Sequence, residues 1–230
     1  MPQDDQKRKP LGKIENMPRP KSSGLAPEER ERLRVSQLLE VASEVFLEAG
    51  YEAASTTEIA KRARSSKHSF YSRFPSKEKL FLAVIDYRTS KIADQMTTLL
   101  KPEEPIRGVL IAAAKELLAG TGSVGHLALV RLVYMEAPQF PEAARYLLDR
   151  GPDRGLNNLA GYLKQQVKLG RISIKDPLLA AQQFAGLVIG DAQHRALLGV
   201  PVLGSKRLIE RRAETSVDAF LQIYPLVQRA

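Results

Sequence analysis

The sequence predicts an all-α protein, and three observations carry that prediction. From Val35 to Tyr224 the apolar residues return every three or four positions, the spacing of one face of an α-helix. Serine, aspartate or proline stands ahead of most of these runs, where the first N–H groups of a helix need an acceptor or are absent. No segment alternates apolar and polar residues as a strand does, and no internal repeat competes. The expected architecture is a three-helix helix-turn-helix domain over residues 27–90 and a helical bundle over 91–230, preceded by a disordered basic arm over 1–26.

Composition sets the outer bounds. The 230 residues suffice for one large or two modest domains. A net charge of +9 fits a polyanionic partner, whether nucleic acid or an anionic membrane surface. No cysteine is present, which excludes disulfides and thiolate chemistry. The first ten residues, MPQDDQKRKP, hold no apolar stretch, and no run of eighteen apolar residues follows, so a cytoplasmic protein is expected. The arm carries four prolines, six Lys or Arg and three acids with little to bury. Two roles fit it: solubility alone, or a track along nucleic-acid phosphates.

Pro27-Glu28-Glu29 opens the first helix, with proline fixing φ and the carboxylates facing the positive end of the dipole. Val35, Leu38, Ala42, Val45 and Ala49 form its apolar stripe, and Gly50 stops it. Ser55 with Glu58 is a capping box for a second helix over about Thr56 to Ala63. Arg64, Ser65 and Ser66 break the pattern, and Ser66 caps a third helix from Lys67 to about Arg73, anchored by Phe70. Two short helices across a tight turn are helix-turn-helix geometry. Between Lys61 and Lys79 stand seven Lys or Arg and one acid, a local charge of +6 that calls for a polyanion. In a major groove the third helix presents Lys67, His68, Ser69 and Ser72 to base edges, while Thr56, Thr57, Tyr71, Arg73 and Lys77 are placed for phosphates.

Gly50-Tyr51, Ser55-Thr56-Thr57-Glu58-Ile59-Ala60, Ser66-Lys67, Phe70-Tyr71, Phe74-Pro75-Ser76-Lys77-Glu78 and Leu80-Phe81 together resemble the DNA-binding domain of TetR-family transcriptional regulators. Where members commonly carry Gly-Val in the turn this chain has Arg64-Ser65, and Arg tolerates positive φ less well than Gly. His68 stands where Gly is frequent, which implies an individual base preference.

Ser76 caps a fourth helix to about Leu100. Lys77 in its first turn opposes the dipole, which points to an anionic neighbour, plausibly a DNA phosphate. Ile106, Val109, Leu110, Ala113 and Leu117 form the next helix, ended near Gly120 and Gly122. His126 to Ala137 is nearly all apolar and is expected to be buried on most sides. Helices then follow from Pro141, across Gly151-Pro152 to Gly170, from Asp176-Pro177 to about Leu198, and from Lys206 to about Val227. Phe140-Pro141, Gly151-Pro152, Gly170, Asp176-Pro177, Ala180-Ala181, Phe184 and Gly186 are similar, more loosely, to an AefR-like subset of the same family, which implies an all-α ligand and dimerisation domain.

A single helix-turn-helix covers few base pairs, so useful affinity needs two copies on half-sites about one helical turn apart. The interface expected of the homodimer is Phe184, Gly186, Leu187, Gly190 and Leu198 on one helix with Val217, Phe220, Leu221 and Tyr224 on the other. Gly186 and Gly190 admit two readings: close approach of a second copy, or packing against a bulky neighbour in the same chain. The resemblance also implies a small-molecule effector. Arg131, Tyr134, Glu136, Phe140, Tyr146, Phe184, Asp191 and His194 are candidate pocket residues, against the alternatives that the aromatic residues are core and that Asp191 and His194 are a local ion pair.

No cofactor or metal is expected. The three histidines show no metal-ligand spacing, and no GxSxG, P-loop or dinucleotide fingerprint occurs, which speaks against an enzyme. A sequence-indifferent architectural DNA binder is the other alternative. It would spread charge along a surface, whereas here the charge gathers on one helix pair. The expected activity is that of a repressor on a palindromic operator, released by an effector with different affinity for the two states.

Overall fold

The computed structural model describes residues 26–200 and 204–227, so the expected basic arm lies outside the described residues apart from Ala26. The chain divides into two compact units, residues 1–35 and 36–230. The described part of the first is the opening of helix α1 (Pro27–Ala53), where Glu31 and Arg34 pair on the solvent side at 3.9 Å.

The second unit carries α1 onward and is helical throughout. It continues with α2 (Thr56–Arg62), α3 (Lys67–Arg73), α4 (Lys77–Leu99), α5 (Ile106–Thr121), α6 (Val124–Glu136), α7 (Pro141–Arg150), α8 (Pro152–Lys168), α9 (Pro177–Ile189), α10 (Ala192–Leu197) and α11 (Lys206–Ile223). Among the described residues the sole β feature is an isolated bridge between Ile172 and Leu226. Starts follow the sequence signals closely: Ser76 Oγ accepts from Lys79 N, and one oxygen of Asp176 accepts from both Leu178 N and Leu179 N at 3.0 Å. Gly50 takes φ 80 and ψ 170, a conformation closed to other residues, and kinks the helix there, with Tyr51 just beyond it buried.

Two apolar clusters hold the unit together. One joins α5, α8, α9 and α11 through Leu110, Leu163, Phe184, Val217 and Phe220, with the Phe184 and Phe220 rings edge-on at 5.3 Å. The other is aromatic: Phe46, Tyr51 and Phe81 meet at centroid distances of 5.0 to 6.0 Å, and Phe140 closes on Tyr51 at 5.6 Å. Between them lies α4. Arg88 reaches from it to Ser43 and Glu40 on α1, each at 2.9 Å. On its other side Thr97 Oγ1 accepts from Asn158 of α8 at 2.7 Å, and Asp94 is paired with Arg154.

The structure corrects two expectations about where helices end. The helix from Pro177 breaks at Gly190 (φ 48, ψ −128), because the Arg212 guanidinium of α11 donates to Val188 O and Ile189 O at 2.7 and 2.9 Å and takes carbonyls a continuing helix would use. The last helix ends at Ile223 rather than near Val227, since Pro225 has no N–H and disfavours a helical residue before it. Helix α6 is buried or half-buried on most sides, as expected, and exposes one narrow face of Val124, Arg131, Tyr134 and Met135.

Candidate nucleic-acid interface

The helix pair is assembled by serines. Ser55 Oγ accepts from Glu58 N at 3.3 Å and starts α2; Ser66 Oγ accepts from Ser69 N at 3.2 Å and starts α3. Between them Arg64 adopts φ 50, the left-handed conformation that glycine usually supplies, and Ser65 N closes the turn on Ala60 O at 3.0 Å. Phe70 is fully buried, with Phe74 6.1 Å away, and it fixes the rotation of α3 about its axis. Lys67, His68, Ser69, Tyr71, Ser72 and Arg73 are consequently all exposed.

These side chains are positioned to different degrees. Tyr71 Oη lies 3.1 Å from Thr56 Oγ1, tying α3 to the first turn of α2, and hydrogen bonds to Thr56 and then Thr57 hold the phenol below its ordinary pKa. Ser72 Oγ donates to Ser69 O at 3.1 Å. Arg62 is engaged within the chain by Glu58 and Glu48 at 2.9 and 3.0 Å, which tempers the local positive charge. Lys77 is half-buried: its ammonium donates to Glu52 O at 2.9 Å and lies 4.7 Å from the centre of the Tyr51 ring. The partner of that cation is thus found in the chain itself, beyond any phosphate it would meet.

The eight candidate pocket residues do not form one site. Phe184 is core; Arg131 is exposed and donates to Leu197 O and Ala196 O at 2.7 and 2.6 Å, capping α10. Tyr146 lies under the Arg150 guanidinium at 5.1 Å, and His194 is exposed. Asp191 pairs with Arg195 rather than with His194, and that pairing holds its carboxyl below the usual range. Glu136 and Phe140 come together with residues to which the sequence attached no ligand role. They line a cleft of about 430 Å³ with Tyr51, Leu82 and Glu78. Glu52, Lys79 and Glu142 complete its charged rim. The local signal near this site was Gly50, whose kink stands immediately before Tyr51. Of the expected interface residues, Phe184, Val217 and Phe220 fill the interior; Leu187, Leu221 and Tyr224 are half-buried, and Gly186, Gly190 and Leu198 are exposed.

Among the described residues no three His, Asp or Glu side chains gather as metal ligands, and no single helix is long and apolar enough to cross a membrane. Residues 108–225 match the family model of the AefR-like transcriptional repressor C-terminal domain, and residues 38–84 match that of bacterial regulatory proteins of the tetR family. The chain belongs to the TetR family of transcriptional regulators. Its fold is shared with a TetR-family regulator from Mesorhizobium loti MAFF303099, at 29% identity and TM-score 0.77 over 85% of this chain and 98% of that one. It is likewise shared with the flavonoid-responsive regulator FrrA, at 28% identity and TM-score 0.68 over 84% and 97%. The transcriptional regulator QacR of Staphylococcus aureus is 42% identical over 59 residues, 26% of this TetR-family chain and 31% of QacR. The match therefore spans under a third of that curated relative.

Proposed function

We propose that the chain is a ligand-responsive repressor that binds a palindromic operator as a homodimer, with residues 27–90 reading DNA and residues 91–230 holding effector and partner. One observation carries the DNA-reading half: a seven-residue helix with a single buried anchor, Phe70, and six exposed side chains that include Lys67, His68 and Ser69. A helix that short, stabilised by one phenylalanine and a serine cap, is built to present its surface. The description of the C-terminal family model supports repression, and the responsiveness of FrrA to flavonoids supports a small-molecule effector.

Dimerisation falls to the outer faces of α9 and α11, where Leu179, Gly186, Leu208 and Ile223 are exposed while Phe184 and Phe220 pack inside the chain. Selection of bound sequences from a random DNA pool tests the reading. The expected result is an enriched palindrome with half-sites about ten base pairs apart. Uniform protection without an enriched sequence favours an architectural protein instead.

A further inference from the structure

The cleft beside Tyr51 has an unusual chemical make-up for a solvent-open recess. Its floor is aromatic and aliphatic, with the Tyr51 and Phe140 rings 5.6 Å apart and tilted by 39° beside Leu82. Its rim carries the carboxylates of Glu52, Glu78, Glu136 and Glu142 and the ammonium of Lys79, with the Lys77 ammonium beside Tyr51, so acids outnumber bases by two. Glu136 also ends α6, so the negative pole of that helix dipole faces the same way.

A second observation shows which charge the rings accept. The Lys77 ammonium already rests 4.7 Å from the centre of the Tyr51 ring, held by the Glu52 carbonyl, so the chain's own cation occupies a face of the aromatic floor. Burial, and then Glu78, Glu52 and Glu136, push the Tyr51 hydroxyl up to about 12, as a negative surround does. An anion meets four like charges here; a neutral ring gains the floor alone. A cation with an aromatic group uses both.

We propose that this cleft binds a small organic cation bearing an aromatic ring, an arylalkylammonium compound, with the ring against Phe140 and the ammonium among the carboxylates. The coupling to DNA rests on the ligand-responsive reading above. The cleft is walled by the end of α1 and the start of α4, the two elements that bracket α2 and α3 in sequence.

Calorimetric titration of the full chain with benzyltrimethylammonium chloride at low salt, with sodium benzoate in parallel, tests the site. The expected result is saturable binding of the cation and none of the anion. Binding weakens about tenfold in the double variant Glu52→Gln, Glu136→Gln, which removes two charges and keeps side-chain shape, and again in Phe140→Leu, which keeps an apolar side chain and removes the ring. Absence of binding by the native chain, or equal binding by all variants, overturns the cleft while leaving an effector elsewhere in the bundle untouched. Binding to the cleft with operator affinity unchanged, measured on the selected palindrome, overturns the coupling and leaves the site standing.

Discussion

Six of the seven side chains of α3 face solvent, and a helix of that length has no stability of its own. Phe70→Ala should accordingly lower unfolding stability by about 3 to 5 kcal/mol in denaturant titration, while His68→Ala should leave it within about 0.5 kcal/mol and change the base enriched beneath it. Equal effects of the two on stability would contradict this division of labour. His126 makes a different prediction. Its Nδ1 is sealed from solvent with no hydrogen-bond partner among the described residues, and burial depresses its pKa below 6.5. Between that depressed value and 6.5 the unfolded chain binds a proton that the folded chain refuses, so stability is full above pH 6.5 and falls as the pH drops below it. The melting temperature should decline from pH 7 to 5, and His126→Phe should flatten the decline; an identical slope would rule the residue out. The residues that form α3 were legible because capping and anchoring are local. Tyr51 was not, since its partner Phe140 lies far along the chain.

At the scale of elements, boundaries set by a cap could be read directly. The Asp176 carboxylate accepts from two N–H groups of the first turn, and Asp176→Ala should destabilise the chain by about 1 to 2 kcal/mol in thermal melts, with Asp176→Ser recovering most of it. A loss below about 0.3 kcal/mol would mean that water serves the helix end as well. Boundaries set by a distant side chain could not be read. The break at Gly190 depends on Arg212, and without that guanidinium the run from Pro177 to Leu198 has the period of one helix. The α6 segment was legible from composition. Its mostly apolar residues read as buried on most sides, and Leu127, Leu129, Val130, Leu132 and Val133 are indeed covered while Val124, Tyr134 and Met135 stay in solvent.

In the proposed function the whole molecule pairs with a second copy of itself to grip two half-sites. Gly186 offers a direct probe: it is exposed, and a Cβ built there meets nothing within 4 Å. Gly186→Arg should therefore fold with native melting behaviour yet sediment as a monomer and bind the palindrome at least about tenfold more weakly. A dimer that persists would move the interface elsewhere. Gly190 would have been a misleading choice for the same purpose, since it has positive φ and any side chain there meets the Arg212 guanidinium.

Helix α4 runs unbroken from Lys77 to Leu99, a rod of about 34 Å at 1.5 Å per residue. A rod has no joint in which to lose a rotation. A pivot of roughly 5° about one end sweeps the other through about 3 Å, near the length of one base-pair step. With Asn158 and Arg154 gripping its far turns and the Ser76 cap beside the exposed helix, this protein has the makings of a mechanical lever in which angle, rather than contact, is the quantity handed on.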